Sequence, residues 1–207
     1  MMAAEGPFLA AMIARMPGPE FNLGAYGVAF ALAILIEAPV IMLMSAATSL
    51  VKDRISYLKM RNFSRGLILG TTLLLLIVLV PGVYRWLTET LLQLPAEVAD
   101  LTYGALWFFL PWPSAIGYRR FLQGVLIRAG KTRLVAVGTL IRLLAMTVAA
   151  LLGYLLLDIP GAWVGGLALG TGVTVEAIAA RFMAAETVRD LLAEEGNSAY
   201  TGRTGTY

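Results

Sequence analysis

The sequence predicts an all-α, polytopic membrane protein of about six transmembrane helices, and three observations carry that prediction. Of its 207 residues, 59% are hydrophobic and only 14% charged, against roughly 25% charged in an ordinary soluble domain. The charges gather in a few short segments, separated by apolar runs of about the length a helix needs to cross a bilayer. The longest run, Ala25 to Val51, holds a single ionisable residue, Glu37, near its centre, followed two positions later by Pro39.

A hydrocarbon core of roughly 30 Å needs about 20 helical residues, more if the helix tilts. Met1 to Met16 is a short first span that would reach only about 24 Å. It carries Glu5 and Pro7 with no basic residue ahead of them, so it does not have the form of a signal peptide and looks like the second half of a span. MPGPEFN, Met16 to Asn22, is a turn with two prolines. Five full spans follow, at about Asn22 to Val51, Gly66 to Trp86, Leu101 to Arg128, Leu134 to Leu157 and Gly161 to Ala185. In the last, Gly161 with Gly165 and Gly166 with Gly170 repeat at four-residue spacing, which lets helices approach closely in lipid. GNSAYTGRTGTY loses this hydrophobicity, so residues 1–189 form one transmembrane unit and 190–207 a polar, disordered tail.

Basic residues near span ends are retained in the cytoplasm, which sets the orientation. KDRISYLKMRNFSR holds Lys52, Arg54, Lys59, Arg61 and Arg65 against one acid, Asp53, and is a cytoplasmic loop. RAGKTR, two spans later, falls on the same side. The alternate connections carry mainly Arg85, Glu89, Glu97, Asp100 and Asp158 and face outward. Six spans in the cell's inner (plasma) membrane, with a cytoplasmic C-terminus, satisfy these constraints.

Several function classes drop out. With no cysteine and no histidine, disulfides, thiol nucleophiles, zinc or haem sites on those ligands and the usual general base are excluded. Ser45 and Lys52 are the nearest nucleophile and base, but seven helical residues separate them by about 10 Å, so no enzyme is expected. GVLIRAGKT has five residues, not four, between its first glycine and Gly-Lys-Thr, and no strand precedes it, so it is not a phosphate-binding loop. GLALGTGVTVEA likewise lacks the strand-turn-helix setting of a dinucleotide site. The net charge of +3 lies mostly in loops, so membrane topology explains it better than nucleic acid.

Ionisable groups at membrane depth cost at least about 2.5 kcal/mol each, so they face a bundle interior or a wet cavity. Glu37 lies mid-span. Arg119, Arg120 and Gln123 lie in the cytoplasmic half of the fourth span, and Arg142 and Glu176 about a third of the way in from that side. Two arrangements fit. In one, Arg142 and Glu176 form a buried structural pair while Arg119 and Arg120 snorkel to the interface. In the other, all share a cavity in which Arg119, Arg120, Gln123 and Arg142 face an anionic solute, and Glu37 and Glu176 take a coupling Na+ or H+. Pro39, which frees a carbonyl one turn earlier, and the two prolines of LPWPS favour the cavity, since broken helices near the midplane form transporter sites. No bound cofactor is implied.

EGPFLAAMIAR, NLGAYGVAFALAILIEAPVIMLMSAATSLVKDR and YRRFLQGVLIRAGKTR resemble the N-terminal half of bacterial relatives of the progressive ankylosis protein. These belong to the multidrug, oligosaccharidyl-lipid and polysaccharide flippase superfamily, which also contains the multidrug and toxin extrusion transporters. The resemblance spans about Glu5 to Arg189, and IEAPVIML and YRRFLQGVLIR are its most specific parts. It implies two six-helix lobes that alternate access to a central cavity, exporting anions such as pyrophosphate, ATP or citrate, or effluxing drugs coupled to cations. This sequence supplies one lobe and begins partway through a span, so the second lobe is either a missing C-terminal half or a second copy. The expected function is thus a secondary transporter lobe moving a small anionic or amphipathic solute, the alternative a non-transporting receptor or assembly subunit.

Overall fold

The computed structural model describes residues 5–201, with side chains to residue 193. Its elements are all helical: α1 (Glu5–Ile13), α2 (Pro19–Ile41), α3 (Leu43–Leu50), α4 (Arg54–Val78), α5 (Pro81–Arg85) running into a π-helical turn (Trp86–Leu91), α6 (Ala96–Phe108), α7 (Trp112–Arg128), α8 (Thr132–Leu156) and α9 (Gly161–Thr201). Among the described residues, four helices are long and apolar enough to cross a membrane: α2 with α3, α4, α8, and α9 as far as Ala193. Their outward faces carry large apolar side chains, among them Leu35, Met42, Leu144, Leu155 and Phe182. Such a surface suits hydrocarbon and not water. The expected polar tail lies largely beyond the described side chains, although the α9 backbone stays helical to Thr201.

The span expected at Gly66 to Trp86 is not one helix, since α4 ends at Val78 and Pro81 starts α5, and two further boundaries differ from the hydropathy pattern. The basic segment after α3 is helix, not loop. Asp53 caps α4, its carboxylate accepting from the Ser56 amide at 2.8 Å while the Asp53 amide donates to Ser56 Oγ at 3.0 Å. This reciprocal box starts the helix at Arg54, and Lys and Arg are good helix formers that extend it below the apolar part. The Ser56 amide, and after it the Ser56 hydroxyl donating to the same carboxylate at 2.9 Å, hold the exposed Asp53 carboxyl below its ordinary value.

The second of these boundaries is a break in Leu101 to Arg128. Pro111 has no amide to offer, so α6 closes in tight turns, with Phe109 N–H donating to Leu106 O and Leu110 N–H to Trp107 O, and α7 restarts at Trp112. Pro113 falls in the first turn of α7, where its missing amide costs nothing. At 13 and 17 residues, α6 and α7 are each short of a full span.

At the centre, α9 packs on α8, α7, α6, α2 and α1, and its glycines set the spacing. A Cβ on Gly161 or Gly165 would press on Ile13, and one on Gly166 would sit 3.0 Å from the Ala105 carbonyl. One glycine pair therefore seats α1 and α2 and the other seats α6, as the four-residue repeat predicts. GVLIRAGKT is the end of α7: Gly130 takes φ 74°, the Lys131 amide reaches back to Leu126 O and the Gly130 amide to Ile127 O. These are the bonds of a glycine helix stop, not of a phosphate cradle.

The two basic segments lie at one end. Arg128 donates to Thr48 O across the start of the α3–α4 connection, and Lys131 pairs with Glu186 of α9 at 3.0 Å. At the opposite end Asn22 ties three elements, donating to Pro17 O and Gly18 O and accepting from the Ala162 amide at the start of α9.

Candidate functional site

Glu176 sits 15 residues into α9, roughly 22 Å from its start and near the middle of the bundle. It is fully buried. Its Oε2 accepts from Arg119 Nη1 at 2.5 Å and lies 3.5 Å from Arg142 Nε, while Oε1 accepts from Gln123 Nε2 at 3.2 Å. Arg119 and Gln123 are one turn apart on α7, so they meet the carboxylate from the same face. Arg142 comes from α8 and closes its other side by pairing with Glu5 of α1. Four helices thus contribute to one buried cluster: two arginines, two carboxylates and an amide, neutral when both acids are ionised.

These contacts bear on the first of the two arrangements drawn from the sequence. Arg142 and Glu176 are neighbours, but the tighter partners are Arg119 for Glu176 and Glu5 for Arg142. Arg119 does not snorkel: it is 1% exposed. Arg120, on the next face of α7, is half-buried, with Nη1 3.9 Å from Met44 Sδ on α3, and contributes no bond to the cluster. Arg119 also keeps unused capacity. Its Nε and Nη2 are buried without a hydrogen-bond partner among the described residues. An unpartnered buried donor costs about 1–3 kcal/mol.

Glu37 is buried on α2, apart from the cluster, and accepts a hydrogen bond from the Trp112 indole. The charges of Arg119, Arg120 and Arg142 are still within electrostatic reach of it. The α6–α7 break creates this contact by bringing Trp112 to the first position of α7. There its ring meets Phe109 edge-on at 5.3 Å and Phe30 at 6.1 Å. The backbone carbonyl freed by Pro39 belongs to Leu35. Pro39, Ala38 and Leu35 all lie on the exposed face, so that carbonyl opens away from Glu37. The described side-chain partner of Glu37 is therefore an indole donor and not the carbonyl freed by Pro39. No group of acidic side chains suited to a metal ion occurs among the described residues.

Glu5, paired with Arg142, and Trp112, bonded to Glu37, are members of these contacts that sequence reasoning missed. The signal for Glu5 was available, since it is an acid inside a short apolar segment. Trp112 was marked only as part of a proline-rich break. A cavity of about 630 Å3 lies at the end opposite the basic segments, between the α1–α2 turn, the start of α6 and the α8–α9 turn. None of the cluster residues lines it. The buried charges and not the cavity therefore mark the candidate site. Comparison with family models, curated proteins and solved structures finds no match to this chain.

Proposed function

We propose that the chain is a lobe of a secondary transporter that moves a small anionic or amphipathic solute by alternating access. The observation carrying this is the spare donor capacity of Arg119 inside a charge-balanced cluster drawn from four helices. In the resting lobe Glu176 occupies Arg119, Gln123 and Arg142. An anion takes the unused Nε and Nη2 donors of Arg119, and protonation of Glu176 frees the remaining donors without leaving an unpaired charge. Binding of the anion and uptake of a proton are then two faces of one event. Glu37, bonded to Trp112 and within reach of the same arginines, is the second proton-exchanging group, with Na+ as the other coupling ion to test. Counting α1 and the broken α6–α7 pair as spans gives a six-helix lobe, which faces a second lobe in the bilayer. The positive-inside rule puts the basic end in the cytoplasm, in the cell's plasma membrane.

A second possibility, a non-transporting receptor or assembly subunit, rests on the same cluster, because a neutral buried network also suits a static structural role. Counterflow separates the two. The chain, alone and joined to a second lobe, is reconstituted in vesicles preloaded with unlabelled pyrophosphate, citrate or ATP, and uptake of the labelled anion is followed against pH and sodium. A transporter lobe accumulates label in a pH-dependent manner, and Glu37→Gln flattens that dependence while insertion stays normal. No uptake of any of these anions in either form favours the static subunit.

A further inference from the structure

At the basic end, two openings between α4, α7 and α9 share a wall. One is a cavity of about 290 Å3 bordered by Arg61, Arg65 and Arg181. The other is an apolar groove of about 550 Å3 that continues from Arg65 and Arg181 past Ile68 and Ile178 to Pro111. None of the residues lining either is acidic, and no ion pair of the three arginines is present among the described residues. The Nε of Arg61 is buried without a partner, and its guanidinium lies 5.9 Å from the Tyr57 ring, which steers it toward the cavity wall. The polar side chains of the groove do not make it polar. Ser114 donates to Pro111 O and Thr174 to Gly170 O, so these two hydroxyls are spent on their own helices, while Tyr118 lines both the groove and the cavity where they meet.

We propose that this joined pair of openings holds an anionic phospholipid, its phosphate on Arg61, Arg65 and Arg181 and an acyl chain along the groove. Charge complementarity sets the headgroup, since three cations without an ion pair among the described residues border the cavity, and none of its lining residues is acidic. Geometry sets the tail. From Arg181 to Thr174 the groove follows seven residues of α9, roughly 10 Å, toward the bundle middle. That is most of one leaflet's roughly 15 Å of hydrocarbon. The headgroup end coincides with the end that carries the basic segments, where anionic lipid headgroups are attracted. A free phosphate would use the arginines but leave the apolar groove without an occupant. The site is separate from the buried Arg119–Glu176 cluster and does not depend on it.

The test is lipid retention. The full chain in phosphatidylcholine nanodiscs doped with phosphatidylglycerol is released and the bound lipid counted by native mass spectrometry. Each arginine near an anionic headgroup is worth roughly fivefold in affinity. The wild type is therefore expected to prefer phosphatidylglycerol strongly, Arg181→Gln to lose roughly fivefold of that preference, and Arg61→Gln/Arg65→Gln/Arg181→Gln nearly all of it. Retention of phosphatidylcholine should not change. Arg181 is exposed, so its single variant keeps the test valid if the triple variant does not fold. Equal retention of the two lipids by the wild type would overturn the proposal, as would an unchanged preference in Arg181→Gln. Displacement by soluble glycerophosphate as effective as by a short-chain phosphatidylglycerol would overturn it in favour of a phosphate site with no need of a tail.

Discussion

Replacing Glu176 by Leu removes the acceptor shared by Arg119 at 2.5 Å, Gln123 at 3.2 Å and Arg142 at 3.5 Å. Arg142 retains Glu5, but Arg119 is left buried with no carboxylate. An uncompensated buried charge costs about 3–5 kcal/mol, and the stranded Gln123 amide adds about 1 kcal/mol or more. Arg119→Leu is milder, about 2–3 kcal/mol, because Glu176 keeps Arg142 and Gln123 as partners. The double variant is again neutral, with the Arg142–Glu5 pair intact. Buried pairs exchanged for apolar side chains are often near neutral, so its cost should be about 1–2 kcal/mol, far below the sum of the singles. Reversible unfolding in mixed micelles, followed by the signal of the four tryptophans, measures all three. Additivity within about 0.5 kcal/mol, or a Glu176→Leu variant as stable as the wild type, would refute the assignment of Glu176 as the shared acceptor.

Three further outcomes follow from the fold. A cysteine at Ser56 should be labelled from the same side as one at Lys131, and a cysteine at Gln93 from the other side; accessibility of all three from one side would contradict the helix order. Gly124→Ala sets a Cβ 2.5 Å from the Met44 carbonyl and 2.6 Å from Ala47 Cβ, so it should destabilise by about 1–3 kcal/mol through separation of α3 from α7, read as a lower unfolding midpoint. Gln93 is held at φ 50°, so Gln93→Gly should leave stability unchanged or raise it by about 0.5 kcal/mol, where another non-glycine residue in a loop would lose on the same change.

The parts of this account legible in the sequence are those set by local chemistry. Apolar runs longer than a bilayer is thick marked α2–α3, α4, α8 and α9, and the cost of ionisable groups in lipid singled out Glu37 on α2, Arg119 on α7, Arg142 on α8 and Glu176 on α9. The glycine repeat marked the close faces of α9, because small residues at four-residue spacing let helices approach. Pairings between distant segments were not legible. Glu5 and Arg142 are 137 residues apart, and nothing local to either names the other. Arg119 and Arg120 are adjacent and chemically identical, yet a 100° step around α7 buries one on Glu176 and leaves the other against Met44. Helix ends beyond the apolar core were also hidden. Hydropathy falls at Arg65, whereas the hydrogen bonds of α4 run on to the cap at Asp53. The two prolines near Leu110 announced a break, but that the break leaves Trp112 bonded to Glu37 is a fact of packing.

The charge-neutral variant Arg119→Leu/Glu176→Leu provides the most direct test of the central claim, that the buried cluster is the solute site. It is reconstituted beside the wild type, and counterflow of labelled pyrophosphate, citrate and ATP is compared at equal amounts of folded protein. A solute site predicts a stable, inserted protein whose counterflow falls to the level of empty vesicles. Counterflow at the wild-type rate in that stable variant would contradict the claim and leave the cluster with a purely structural role.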